Sequence, residues 1–299
     1  MSEPTEHHIV SRFYLRGFCD QELPHKFWVY RRGNPYPKHG SPKKTARLLQ
    51  YNAFEMEDGK LDSATVETLL NIIETPASQI WERLHDRSYS IADEERMVVA
   101  EFIALAAARV PSVREALNDI LDKDIRAVME WQAAHFDELS ESERLSYGMS
   151  TREDLDEVIS TGKQVRFSLD QNSHIDSMIH ALPELASVIF HMKWKFLHAP
   201  EGSVFVTSDN PVVRINPNNP TDFKGQDGFE LPRIQVTFPI NAKLMLLLMW
   251  EGSTGHMEIT EKLVNEFNQR TAAFALHEVY SPRRITWLDE YFANQVASS

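Results

Sequence analysis

The sequence predicts an α+β fold, with a helical middle packed against a mostly antiparallel sheet formed by N- and C-terminal strands. Three observations point there. Segments rich in β-formers fall before residue 55 and after residue 202, helical periodicity fills residues 60–198, and the two textures are segregated rather than alternating. With 299 residues, 42% hydrophobic and 25% charged, the chain has material for a sizeable core. The expectation is a single compact domain over 1–299: β-containing at 1–55, helical at 60–198, and β-rich at 202–281 with closing helices.

Taken in order, residues 9–18 read as a short helix or an entering strand. Lys26–Arg32 (KFWVYRR) reads as a strand. Gly33, Asn34, Pro35, Pro37, Gly40 and Pro42 then predict a loop. The stretch TARLLQYNAFE allows a second strand or a helical turn. Leu61, Val66, Leu69, Leu70, Ile72 and Ile73 have helical spacing, and Pro76 opens a second set with Ile80, Trp81 and Leu84. Asp93 is placed as the N-cap of an apolar helix reaching Val110, which Pro111 ends or kinks. A long amphipathic helix is expected over 112–138, another helix from STREDLDEVI, and a further helical region over about 172–198 with Pro183 as a break or as the first residue of a new helix. Beyond Gly202, SVFVTSDNPVVRI reads as strand, turn and strand, and RIQVTFPI and KLMLLLMW as two strands joined by Asn-Ala. ITEKLVNEFNQRTAAFALH is the last clear helix, followed by a closing strand, EVYS.

Composition narrows the function. No apolar run approaches the ~18–20 residues that span a bilayer, and no basic stretch precedes a cleavable apolar one, so a cytoplasmic protein with no membrane partner is expected. The lone Cys19 fits a reducing compartment and a partly buried thiol better than a nucleophile. The net charge of −13 disfavours non-specific coating of nucleic acid. The balance is uneven, however. Residues 1–50 carry nine Lys/Arg against four Asp/Glu, leaving +5, and the other 249 residues carry −18. That basic layer either neutralises the acidic body or faces an anion, and nucleic acid or a nucleotide is its candidate partner.

P-loop, dinucleotide-fold, zincin, nucleophile-elbow and paired C-x-x-C motifs are absent from the sequence. Four constellations remain. His7 and His8 are adjacent and therefore diverge on any regular backbone, so one of them is a candidate base or ligand. Glu67 and Glu74 lie seven apart on one helix face, roughly 10 Å along the axis, too far for both to hold one ion directly, though either could join Glu55 around a shared polar pocket. Glu74 with Glu55 and Asp209 makes a candidate hard-cation set for Mg²⁺ or Mn²⁺. Arg109 and Arg114 in RVPSVR suit phosphate or carboxylate recognition, or pair with a buried acid. Ser208, Asp209 and Asn210 in TSDNPVV form a tight polar turn, either a strand corner or the mouth of a pocket. His180, His191 and His198 fall nearly in line on an ideal helix, which favours a packed face with Trp194 over a metal site.

Together HHIVSRFYLRGF, YNAFE, RVPSVR and VFVTSDNPVV resemble the uncharacterised DUF4238 family, whose members open with a histidine and carry a TSDNPV-like turn in their last third. The likeness covers nearly the whole chain, TSDNPVV being its most specific piece. The chain departs at Ser11, where proline is common. The resemblance implies no activity, but it gives weight to His7, His8, Glu55, Arg109, Asp209 and Asn210 as members of one site.

The reading that follows is a metal-dependent phosphodiester hydrolase, nuclease-like and of the kind used as a defence or toxin effector. His7 or His8 is its base or ligand, Glu55, Glu74 and Asp209 hold the ion, and Arg109 steadies the phosphate. Two alternatives stand beside it. One is a non-catalytic nucleotide or phospho-ligand module using Arg109, Arg114 and the Ser208–Asn210 turn; the other is a protein-interaction module using the basic layer.

Overall fold

The computed structural model describes residues 6–62, 64–146, 151–217 and 228–296. The N-terminal part runs β1 (Glu6–His8), α1 (Arg12–Arg16), β2 (Phe27–Arg31), β3 (Asn34–Gly40), β4 (Arg47–Leu49), β5 (Phe54–Glu55) and β6 (Leu61–Asp62). The helical middle follows as α2 (Ala64–Ile80), α3 (Asp93–Ala108), α4 (Pro111–His135), α5 (Glu141–Ser146), α6 (Arg152–Gln164) and α7 (Gln171–His191). Strands β7 (Lys193–His198), β8 (Thr207–Ser208), β9 (Val213–Ile215), β10 (Gln235–Asn241), β11 (Leu244–Met249) and β12 (Gly255–Glu258) come next. The chain closes with α8 (Glu261–Phe274), β13 (Glu278–Ser281) and α9 (Thr286–Val296).

The α+β expectation is borne out. Strands from both ends of the chain share a four-stranded sheet of order β3-β2-β13-β8, antiparallel throughout. A five-stranded sheet, β12-β7-β11-β10-β9, is antiparallel except where β12 joins β7. Its central strands β10 and β11 are buried almost end to end, so they carry continuous apolar runs rather than an alternating pattern. Helices α3 and α7 pack together, and their apolar faces enter the same core as β10 and β11.

The amphipathic N-terminus is anchored by aromatics. Tyr14 of α1 stacks on Phe238 at 5.0 Å and lies edge-on to Trp81, which also meets Phe102 at 5.0 Å. The two polar atoms carried inward are satisfied. The Tyr14 hydroxyl is 2.6 Å from Thr207 Oγ1, and Trp81 Nε1 donates to the Ile240 carbonyl at 3.0 Å.

Four expectations are corrected. Residues 34–40 form β3 rather than a loop, because an edge strand tolerates Pro35 and Pro37, whose missing N–H groups sit at alternate positions. The helical region does not reach 198: α7 stops at His191, and residues 193–198 are β7, with Trp194, Phe196 and His198 buried at period two between β11 and β12. The in-line His191 and His198 therefore belong to different elements. Asp93 is the first residue of α3 and not its cap, and Glu95 reaches back to the Ala92 N–H. Pro76 and Pro183 lie inside α2 and α7 without ending them, as packing outweighs the lost backbone bond. Pro111 begins α4, where a missing N–H costs nothing.

Candidate functional site

The strand β1 answers the question of the adjacent histidines. His7 turns inward, 1% exposed, and its Nδ1 accepts the Asn52 N–H at 2.7 Å. His8 points the other way, into a cleft of about 430 Å³ between α1 and α2. Its Nε2 donates to the Pro42 carbonyl at 3.1 Å, which leaves Nδ1 as the unprotonated nitrogen of a neutral ring. Burial, with Arg47, Arg12 and Arg109 nearby, lowers the His8 pKa to about 4, so the ring is neutral at physiological pH.

Three sequence-chosen residues, His8, Glu74 and Arg109, line this one cleft, together with Ser11, Arg12, Arg16 and Glu67. Arg109, 3% exposed at the end of α3, donates from Nη1 to Glu74 Oε1 at 2.6 Å. Ser11 Oγ donates to the other oxygen, Oε2, also at 2.6 Å. Ser11 occupies the N-cap position of α1 but makes no capping bond; its hydroxyl is spent on α2. The same Glu74 thus fastens the N-terminal segment to two helices. Arg12 and Arg16, one turn apart on α1, are exposed at the rim and have no acidic partner among the described residues. Glu67 joins Glu74 along the α2 face, as their spacing predicts.

Asp209 faces elsewhere. Its carboxylate accepts the backbone N–H groups of Leu276, His277 and Glu278 at 2.8, 2.6 and 3.0 Å. Burial pushes its pKa up to about 6, the three amide donors offsetting part of that rise. Ser208 Oγ bonds the Asn210 carbonyl at 2.8 Å, and Asn210 Nδ2 donates to the Phe274 carbonyl at 3.0 Å. The two strands flanking this turn belong to different sheets, β8 pairing with β13 and β9 with β10. TSDNPVV is therefore a corner that ties the α8–β13 junction to the crossing between sheets.

The grouping of Glu55, Glu74 and Asp209 around one ion is not formed. Glu55 is exposed on the β5–β6 hairpin, where its backbone exchanges two bonds with the Asn172 side chain. Asp209 lines a different cavity from Glu74. Among the described residues no set of three or more His, Cys, Asp or Glu is arranged to hold a metal. Arg114 is also apart: its guanidinium lies 3.6 Å over the Tyr51 ring and bonds the Tyr51 carbonyl and Gln171. It clamps the segment after β4 to α4 and α7.

The cavity that Asp209 borders is larger, about 780 Å³, and is lined by Lys26, Arg31, Arg32, Lys38, Lys44 and Arg47. The +5 charge of the first fifty residues signals it, but only the pairing of β2 with β13 and of β1 with β4 gathers those cations around one space. In the β1–β4 ribbon His8 stands opposite Arg47, so this ribbon divides the cleft from the cavity.

Sequence reasoning missed a further pair, His198 Nε2 and His256 Nδ1, 2.8 Å apart across β7 and β12. No local signal announces it, since 58 residues separate the two. Cys19 is half-buried and burial lifts its thiol to about 11, in keeping with a packing role.

Fold and site together define an α+β protein whose N-terminal histidine segment, a long helix and an arginine at a helix end meet at one polar cleft. Residues 6–284 match the family described as Protein of unknown function (DUF4238), and the chain belongs to that family. No curated protein and no solved structure matches it. No helix among the described residues is long and apolar enough to cross a membrane.

Proposed function

We propose that the chain is a phosphodiester hydrolase whose reaction takes place in the His8 cleft. The observation that carries this reading is the neutral His8 ring, with Nε2–H held on a backbone carbonyl and Nδ1 left open, in a cleft that also presents Arg12, Arg16 and Arg109. A fixed imidazole with a free lone pair beside guanidinium groups suits hydrolysis of an anionic ester, the ring accepting a proton and the guanidinium groups holding the charge. His8 Nδ1 takes a proton from water as the water oxygen bonds to phosphorus. The ester P–O bond breaks, and the departing alkoxide takes a proton from solvent. Arg12 and Arg16 draw the phosphate in, and Arg109, oriented by Glu74, steadies the charge that builds on its oxygens.

Mg²⁺ keeps several waters and is commonly bound by one or two carboxylates plus substrate phosphate. Glu67 is the cleft carboxylate that would hold such an ion here, since Glu74, roughly 10 Å away along the helix axis, has both oxygens engaged by Arg109 and Ser11; the ion would neutralise charge on the phosphate. Glu55 and Asp209 have no part in the reading.

The test is hydrolysis of bis(p-nitrophenyl) phosphate and of short RNA and DNA oligonucleotides, with Mg²⁺, with Mn²⁺ and with EDTA. His8→Ala and His8→Gln are expected to lose activity by ~10²–10⁴-fold while keeping the wild-type melting temperature within a few degrees. Full activity in a folded His8→Ala protein sinks the proposal.

A further inference from the structure

From the cavity beyond the β1–β4 ribbon we infer a second, separate site, one that binds the polyphosphate chain of a small molecule. This inference is independent of hydrolysis in the His8 cleft.

Charge is the first argument. Cations outnumber carboxylates six to two in the lining, in a chain whose net charge is −13. Gathering six like charges around one space is unfavourable unless something compensates them. The chain compensates only some. Arg31 pairs through Nε with Glu278 at 2.8 Å, Arg47 pairs with Glu6 at 2.7 Å, and Arg32 donates to the Ala275 carbonyl at 3.0 Å. The ammonium groups of Lys26, Lys38 and Lys44 have no acidic partner among the described residues. They come from three places, the residue before β2, the edge strand β3 and the turn that precedes β4, yet they border one cavity. Lysine binds phosphate as a mobile point charge, and several around one space suit a chain of phosphates better than a single carboxylate.

The wall is built rather than incidental. The turn from Gly40 to Thr45 is closed by Lys44 N–H to Ser41 O at 2.9 Å and Thr45 N–H to Ser41 O at 3.1 Å, and the Ser41 N–H returns to Thr45 Oγ1 at 3.3 Å. The opposite wall is held by the Asp209 bonds to residues 276–278.

Size and the surrounding field select the ligand. A space of about 780 Å³ is in the range of small-molecule pockets. A long polyanion would run from it onto a body that carries −18 outside the first fifty residues, where like charge repels it. A short polyphosphate, free or borne by a nucleoside, stays within the cationic walls.

The experiment is isothermal titration of the full chain at about 0.1 M salt, where surface charges act over ~10 Å. The probes are tripolyphosphate, ATP, adenosine and a 20-nucleotide DNA strand. Saturable binding of tripolyphosphate or ATP with none of adenosine is expected; tripolyphosphate alone identifies an inorganic ligand, and tighter ATP binding a nucleoside one. Lys38→Ala and Lys44→Ala should each weaken binding on the order of tenfold. Both lysines are unpaired, so their melting temperatures should stay at the wild-type value. Lys123→Ala, on the exposed face of α4 and away from both cavities, should leave the affinity unchanged. The inference is overturned if neither polyphosphate binds, if the lysine variants bind as wild type does, or if the DNA strand competes equally at matched phosphate concentration.

Discussion

Arg109 Nη1 lies 2.6 Å from Glu74 Oε1, joining the C-terminal end of α3 to the middle of α2 beneath the His8 cleft. The arginine is 3% exposed and the glutamate 19%, so removing one partner strands the other in a poorly solvated place. Arg109→Ala and Glu74→Ala are each expected to lose ~3–5 kcal/mol in urea unfolding. Arg109→Met combined with Glu74→Leu should recover most of that stability, because well-packed apolar side chains replace a buried pair at little cost. Recovery of stability without recovery of hydrolysis separates the pair's packing role from its place in the cleft.

His8 should give a distinctive pH profile. Its folded pKa of about 4 lies below the ordinary 6.5, so between those values the unfolded chain binds more protons. The stability from its neutral form is present above pH 6.5 and is lost as pH falls toward 4. Hydrolysis should hold a plateau from about pH 5 upward, with an acid limb near 4. NMR titration of the His8 ring checks the value directly; a midpoint near 6.5 contradicts the burial described here.

Asp209 has the opposite sign. Its pKa is raised from 3.8 to about 6, so its contribution is present below pH 3.8 and is lost as pH rises through 6. The structure gives Asp209 the task of receiving three backbone N–H groups. Asp209→Ala should therefore lose ~2–4 kcal/mol, from donors left without an acceptor. Below its lowered melting temperature the variant should retain hydrolysis in the His8 cleft. Calorimetry and the phosphodiester assay on one preparation decide this.

Gly40 closes β3 where there is no room for a side chain. A Cβ there would lie 2.4 Å from Val29 Cγ2 and 2.8 Å from Thr45 Oγ1. Val29 is buried, so Gly40→Ala should destabilise by ~1–3 kcal/mol, read as a lower urea midpoint at unchanged slope. Polyphosphate binding should weaken as well, since the same turn carries Lys44.

Local pattern was a good guide wherever periodicity and packing agreed. The apolar spacing around Leu70, the continuous run in β11 and the Pro111 boundary are all found where the sequence places them. It misled where tertiary pairing overrode local preference. Proline-rich β3 is a strand because β2 offers it an edge, and β7 is a strand because β11 and β12 flank it. Half of the candidate site was legible on the same terms. His8, Glu74 and Arg109 meet because each sits on an element whose apolar face is docked into one core, and so the polar residues at their borders are forced together. Asp209 looked equivalent, since a short polar turn between strands serves a corner as well as a pocket.

By itself the sequence determined the α+β class, the segregation of helices from strands, the family, and the divergence of His7 from His8, all of which follow from local geometry and composition. Only the tertiary structure decided which histidine faces the cleft, that Asp209 staples a corner, and that the N-terminal cations surround a single cavity. Those outcomes depend on strand pairings between residues up to about 250 apart, such as Arg31 with Glu278. A linear sequence specifies which side chains are available, while long-range register selects which of them share a space.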